Sequence, residues 1–488
     1  MSNLSSRKIK VFFLSVGNFL TSISSLLLAI SLTRIFSINQ YVDYKQTLLV
    51  FNMFAPLLLF GFDKSIFYFF SNKETDKKND YINLQIFLLF SNIVYILFFI
   101  LGGADFVSLQ FNNPSLKEFL LLYSIISLFE IPIRLLTPVL VIQEKVKTLT
   151  VFNIVYRLLF FAISVFLAYK YKEVKIVLVS QVLLTVFALI VSQYIVSKSF
   201  QSNTKFHLDF SVIKKYLIIG IPLSAATILG FLGKNIDKAL ISHYLPKADF
   251  AYYVNGAIEI PLIASITGAI MTILLADFAV LYRENDYKEI FRLWSKSVKY
   301  TSSILIFIMF ILLLNAEFLI TSMYGNEYIK SAKPFMIYLL LLPIRTMVFS
   351  SLITVTSKTI YILYGAILYL AFNILFSIFL IKELGFVGPA IATVISTYLL
   401  AIFYSFVIKK QYNINFFRVF NIYEQRYFLI AGLVPLIILS FVEFSSFTKI
   451  QSLILNNVFF FLISGILIFV FKEQKIYIEM FKILKNRK

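Results

Sequence analysis

The chain has 488 residues, of which 59% are hydrophobic and only 14% are charged, with a mean hydropathy of +0.85. Soluble domains are nearer half apolar and a quarter charged, so this composition excludes a globular protein with a single anchor and points to a polytopic membrane protein. The formal net charge of +20 fits loops that collect Lys and Arg on the cytoplasmic side better than a nucleic-acid surface; the absence of cysteine excludes a disulfide frame, a thiolate zinc site and a cysteine nucleophile.

The basic N-terminus MSNLSSRKIK is followed by an apolar run too long for a signal-peptide core, so it is expected to be a retained first span. Hydropathy predicts an all-α chain with about fourteen transmembrane helices. The first six spans fall at roughly 11–36, 46–70, 82–103, 117–142, 149–169 and 176–196. The next six fall at roughly 216–244, 251–277, 300–323, 334–356, 359–381 and 387–408, and a further pair at roughly 427–443 and 452–471. Lys and Arg are concentrated in the tails and the even-numbered connections, which predicts both termini in the cytoplasm. Lys170, Lys172 and Lys175 go against that bias. The amphipathic connection around 281–300, with the only tryptophan, Trp294, is expected to lie in the headgroup region, as is the basic tail KEQKIYIEMFKILKNRK.

Two halves repeat. Pro132-Ile133-Arg134 recurs as Pro343-Ile344-Arg345, and Lys147-Thr148 recurs as Lys358-Thr359 at the same offset. Gly17, Thr21, Ser24, Ser31 and Arg34 match Gly220, Ser224, Thr227, Lys234 and Asp237. Six spans per half make the repeats parallel, related by an axis along the membrane normal, as in transporters that bind substrate between their halves and rock them. The expected domains are an N-terminal bundle over 1–200, a C-terminal bundle over 201–410, and an extra helix pair with a basic tail over 411–488.

Charges within spans are costly and mark function. The stretch Lys214–Leu245 is long enough to span, yet its second half carries Lys234, Asp237 and Lys238 on a stripe of small and polar residues. Lys64, Glu130, Arg157 and Glu259 add to the set. Glu130 is spaced to pair with Arg134, and Asp237 to pair with Lys234. The surplus is cationic, which predicts an anionic cargo, and the planar fork of arginine suits a diphosphate. The expected substrate contacts are Arg34, Arg134, Lys234, Asp237, Lys238 and Arg345, with Asp237 and Glu259 as candidates for proton or sodium coupling. Gly230-Phe-Leu-Gly-Lys234 lacks the spacing and the Ser/Thr of a phosphate loop. No connection is long enough for a soluble catalytic domain, so no enzyme activity, cofactor or metal is expected.

Several stretches carry a resemblance: LTRIFSINQYVDYKQ after the first span, FGFDKSIFYFFSN at 60–72, GIPLSAATILGFLGKNIDKALISHYL at 220–245, MYGNEYIKSAKPFMIYLLLLPIR at 323–345, and ELGFVGPAIATVISTYLL at 383–400. On these the chain resembles the Wzx-type lipid-linked oligosaccharide flippases of bacterial polysaccharide synthesis, in the MOP superfamily with MATE exporters and the lipid II flippase MurJ. The resemblance implies two six-helix bundles around a cationic cavity. It also implies passage of a polyprenyl-pyrophosphate-linked glycan from the inner to the outer leaflet of the bacterial cytoplasmic membrane, as in O-antigen or capsule assembly. Partners would be membrane lipids, a polysaccharide polymerase and other assembly proteins, with no nucleic acid. The C-terminal pair could form a groove for the lipid tail by analogy with the lipid II flippase. The alternatives are a MurJ-like lipid II flippase and a MATE-like cation-coupled exporter. The exporter would prefer acidic cavity residues, and a glycan polymerase or ligase would need a larger outer loop.

Overall fold

The computed structural model describes residues 2–71, 76–200, 207–356, 358–442 and 449–485, and these contain helices and no strand. In chain order, α1 (Ser2–Ile35) is followed by α2 (Ile38–Leu58) and α3 (Phe62–Phe69). α2 begins earlier than expected because Ser37 and Gln40 form a reciprocal capping box that starts the helix at once. Asp43 and Lys45, assigned by hydropathy to a loop, are therefore helical. Next come α4 (Lys77–Phe98) and α5 (Ala104–Gln110), joined by a π-helical turn at Phe99–Gly103. The fourth span is broken into α6 (Leu116–Ser124), α7 (Ser127–Ile133) and α8 (Leu136–Ile142), with a bend of 51° after α6. α9 (Val146–Tyr171) and α10 (Val174–Ser197) are continuous.

α11 (Phe210–Gly233) and α12 (Ile236–Tyr244) make one broken span, followed by α13 (Lys247–Gly256) and α14 (Pro261–Arg283). The span expected at 251–277 is thus divided, because Pro261 starts a new helix at its first position. Then come α15 (Tyr287–Leu314), α16 (Ala316–Tyr324), α17 (Ala332–Leu339), α18 (Leu342–Arg345) and α19 (Phe349–Thr354), with a 44° bend between the segments Asn326–Leu339 and Leu342–Thr354. α20 (Ile360–Leu384) and α21 (Gly388–Tyr412) are joined by a single 3-10 turn. α22 (Phe416–Val419), α23 (Arg426–Ser440), α24 (Lys449–Val470) and α25 (Gln474–Lys485) complete the chain. Among the described residues 9 helices are long and apolar enough to cross a membrane, or 11 with the two bent pairs. One of those stretches, Ile360–Tyr412, holds both α20 and α21, and the shorter α23 and the helix α14 come in addition. The architecture is an all-α polytopic membrane protein, consistent with about fourteen spans.

The helices form two compact units. Met1–Val254 with Leu370–Pro389 is one, and Asn255–Tyr369 with Ala390–Lys488 is the other. These units and the sequence repeats are different divisions, since α11 and α12, which open the second repeat, pack inside the first unit.

In that first unit α1 packs along α9, where a Cβ on Gly17 would meet Thr150 Cγ2 at 3.0 Å. α11 crosses α3 at Gly61 and Gly220, whose backbones are nearly in contact. Gly61 also has φ +72°, a conformation that only glycine adopts at little cost. Tyr216 Oη donates to Asp80 Oδ2 at 2.8 Å, and Asn79 and Asn83 bind the backbone of His207 and Asp209 ahead of α11. Beyond α12, Asn113 donates to Asp43 and Gln46 at 2.7 Å, Gln46 donates to Ser242 at 3.1 Å, and Lys247 is 3.5 Å from Asp43. Polar contacts thus hold the α11–α13 segment at both ends.

The second unit has its core on α15. Trp294 is fully buried among Phe278, Ile290, Val298, Leu352 and Ile408. The connection around 281–300 is therefore not a surface helix throughout: from Tyr287 it is the first part of a long span, and its apolar stripe, Trp294 included, packs inward. α23 and α24 pack together, with Ser464 Oγ donating to the Ala431 carbonyl at 2.9 Å. Asn315 and Asn457 exchange reciprocal amide hydrogen bonds at 3.0 Å and tie α24 to the end of α15.

Candidate functional site

The break between α11 and α12 builds the first cluster. Asn235 leaves helical geometry at φ −123° and ψ −12°, which frees carbonyls that need donors. Side chains supply them: Asn235 Nδ2 donates to the Phe231 carbonyl at 2.9 Å, and Lys238 Nζ donates to the Lys234 carbonyl at 2.7 Å. Asp237 is fully buried. Its carboxylate accepts from Tyr253 Oη at 2.5 Å and from the Lys238 backbone N–H at 2.8 Å, with Lys238 Nζ 3.6 Å away. A buried carboxylate costs several kcal/mol unless its oxygens are satisfied, and these three donors do that. Lys45 of α2 lies within electrostatic range of Lys238 and over the Tyr41 ring at 5.5 Å. Lys234 itself is exposed. Two lysines, one further cation from α2 and one carboxylate therefore share a neighbourhood inside apolar helices.

The bent span α6–α8 builds the second cluster. Arg134, at the C-cap of α7 just after Pro132, binds Glu130 one turn earlier at 2.9 Å. Arg157, halfway along α9, lies over the rings of Tyr156 and Phe160 at 5.4 and 5.8 Å. Tyr156 is within electrostatic range of Glu130, Arg134 and Arg157 together. Tyr156 Oη pairs with Thr185 at 2.9 Å, and Gln181 bridges Tyr44 and Ser164. Glu130 balances only one of the two arginines here.

In the second unit the repeated motif behaves alike. Arg345 ends α18 after Pro343, in the other bent span, and pairs with Glu259 at 2.5 Å. Both side chains are more than a third exposed. Arg34 is exposed in the last turn of α1, where a cation complements the helix dipole. Lys64 is next to Asp63 at 3.3 Å and partly exposed.

The structure gathers Lys234, Asp237 and Lys238 at one break and joins Arg134 to Glu130 and Arg345 to Glu259. Two contributors were not among the expected contacts. Lys45 was hidden by its assignment to a loop, though the Ser37–Gln40 capping box was a legible start signal. Arg157 stood out as a charge in a span, but nothing in its local sequence showed that α9 would bring it near Glu130. Among the described residues no three His, Asp or Glu side chains gather as a metal site.

A family model described as "Polysaccharide biosynthesis protein" matches residues 31–333. No curated protein matches by sequence. Among solved structures, the lipid II flippase MurJ in an inward closed conformation is similar at a TM-score of 0.77 and 15% identity, covering 96% of this chain and 100% of that one. A multidrug resistance MATE transporter of the MOP superfamily, inward-facing, is similar at 0.61 and 13% identity over 80% of this chain and 94% of its own. A MOP superfamily transporter from Pyrococcus furiosus, described by the reverse polarity of its binding pocket, is similar at 0.58 and 11% identity over 83% and 95%.

Proposed function

The chain belongs to the polysaccharide biosynthesis protein family and has the MOP transporter fold; on that premise we propose that it is a flippase for a polyprenyl-pyrophosphate-linked oligosaccharide. The cargo crosses from the inner to the outer leaflet of a bacterial cytoplasmic membrane, with both termini of the chain in the cytoplasm. The observation that carries the reading is the imbalance of charge inside the first unit. Lys45, Arg134, Arg157, Lys234 and Lys238 stand on its spans near Glu130 and Asp237, while the buried carboxylates Asp43 and Asp80 of the same spans are held elsewhere, by Asn113 and Lys247 and by Tyr216. Positive charge at membrane depth calls for a compensating anion. The pyrophosphate of a lipid-linked sugar supplies it.

In this reading Arg34, Arg134, Lys234, Lys238 and Arg345 attract or contact the diphosphate, joined by Lys45 and Arg157. Asp237 holds Lys238 in place through the contacts described above. Glu130 and Glu259 keep their arginines oriented until the cargo competes for them, a switch that suits a carrier that must also release. Asp237 and Glu259 are the candidates for coupling to protons or sodium. Selection among glycans would depend on the shape of the cavity.

The test is deletion of the gene in its host with analysis of membrane lipids by mass spectrometry. The flippase reading expects a complete lipid-linked repeat unit to accumulate while the surface polymer disappears, and the mass of that unit names the cargo. Unchanged lipid intermediates with raised sensitivity to cationic drugs would replace this reading with an exporter.

A further inference from the structure

A recess of about 1240 Å³ opens in the second unit where the first turns of α15 face α22 and the turn Asn421–Glu424. Its charges are unequally matched. Arg292 is held by both oxygens of Glu289 at 2.6 Å, and Lys299 is 3.0 Å from Glu473 and 3.8 Å from Glu424. Lys296 is 3.9 Å from Glu479. Lys288 and Arg418 also line the recess, are exposed, and have no ion pair among the described residues. The aromatic rings of Phe417 and Tyr423 line it too, 80% and 63% exposed, Tyr423 with one face against the guanidinium of Arg426 at 3.4 Å and the other open.

Two features locate this recess at the surface of a membrane. α15 carries its charges along the recess as far as Lys299, and its uninterrupted apolar run begins one turn further on, at Ile304, so the recess lies on the headgroup side of the hydrocarbon. Large aromatic side chains left uncovered beside cations are what headgroup depth selects. We infer that this recess is a binding site for the phosphate of an anionic membrane phospholipid, gripped by Lys288 and Arg418, with Phe417 and Tyr423 against its glycerol and upper acyl carbons. Arg418 offers the planar fork that fits two phosphate oxygens, and Lys288 adds a point charge. A soluble phosphate presents the same oxygens, but it would leave the two exposed rings uncovered. The site is separate from the cationic clusters of the first unit and does not depend on the identity of the cargo.

The experiment is native mass spectrometry of the full chain in detergent, titrated with phosphatidylglycerol or, in parallel, phosphatidylcholine. The wild type is expected to retain one phosphatidylglycerol in preference to phosphatidylcholine. The double variant K288Q/R418Q should bind it at least about 10-fold more weakly, since two charge-assisted contacts are lost. The variant K170Q/K382Q, with the same charge change at exposed lysines outside the recess, should retain it. Equal retention of the two lipids, or undiminished binding by K288Q/R418Q, would overturn the inference. Displacement of phosphatidylglycerol by millimolar inorganic phosphate would assign the recess to a soluble anion and overturn the lipid source.

Discussion

The crossing of α11 and α3 should be the least forgiving contact in the first unit. A Cβ on Gly220 would lie 2.8 Å from the Gly61 carbonyl oxygen and 3.0 Å from both the Gly61 carbonyl carbon and the Phe60 carbonyl oxygen. All three are backbone atoms, so no side chain can swing away. Ordinary contact begins near 3.4 Å, and the two backbones must part by about 0.6 Å for Gly220→Ala. Overpacking of that kind costs roughly 1–3 kcal/mol, while alanine in a helix returns about 0.5–1 kcal/mol over glycine. The net for Gly220→Ala is then about 0–2.5 kcal/mol. Gly61→Ala meets a deeper overlap with the Gly220 carbonyl and also needs φ +72°. A left-handed alanine adds about 1–2 kcal/mol, for a total of roughly 2–5 kcal/mol. Gly230, with nothing near its missing Cβ, is the control: Gly230→Ala should be neutral or stabilise by up to about 1 kcal/mol. Equilibrium unfolding of the three variants in mixed detergent micelles measures the order. If Gly61→Ala proved as stable as Gly230→Ala, the close crossing of α3 and α11 would be refuted.

Other perturbations separate binding from folding. Arg157→Gln should weaken binding of a polyprenyl pyrophosphate by roughly 10–150-fold, the loss of one charge-assisted contact, while changing stability by no more than about 1 kcal/mol, since among the described residues the guanidinium lies over two aromatic rings and forms no ion pair; isothermal titration and unfolding read the two separately. Arg345→Gln and Glu259→Gln should each change stability by less than about 1 kcal/mol, because the pair is more than a third exposed, yet Arg345→Gln should lower flipping in reconstituted vesicles, and equal rates would remove Arg345 from the pathway. Asn113→Ala should cost about 1–3 kcal/mol, as it removes the donor to buried Gln46 Oε1, while Asp43 keeps Ser115 and Lys247; a loss below about 1 kcal/mol would count against that network. Asp209 caps α11, and its carboxylate is held below the usual range by hydrogen bonds from Ser211. Its pKa is depressed in the folded state, so the contribution is present above the ordinary value of about 3.9 and is lost as pH falls through the lower folded value. Protection factors of the first-turn amides of α11, exchange rates corrected for their intrinsic pH dependence, should therefore fall at pH 3 relative to pH 6, and Asp209→Ala should abolish the difference.

What the sequence by itself determined is what depends on neighbours along the chain. Apolar runs show as spans because each helix must satisfy its own backbone in lipid. The repeated Pro-Ile-Arg shows as a repeat because kinked spans with an arginine after the proline recur in place. Glu130 and Arg134 pair because one helical turn separates them. Tertiary structure decided everything that depends on distance across helices. Arg345 meets Glu259, far away in sequence, and Arg157 meets the Glu130–Arg134 neighbourhood, through packing that no window of sequence contains. α11 opens the second repeat yet packs in the first unit, because Gly61 and Gly220 permit a close crossing and Asp80, Gln46 and Asp43 supply polar anchors for that segment. Trp294 shows the same limit from the other side. Its amphipathic stretch has the pattern of a surface helix, but the face it presents is covered by α14, α19 and α21, and a hydrophobic stripe cannot declare whether lipid or protein will cover it.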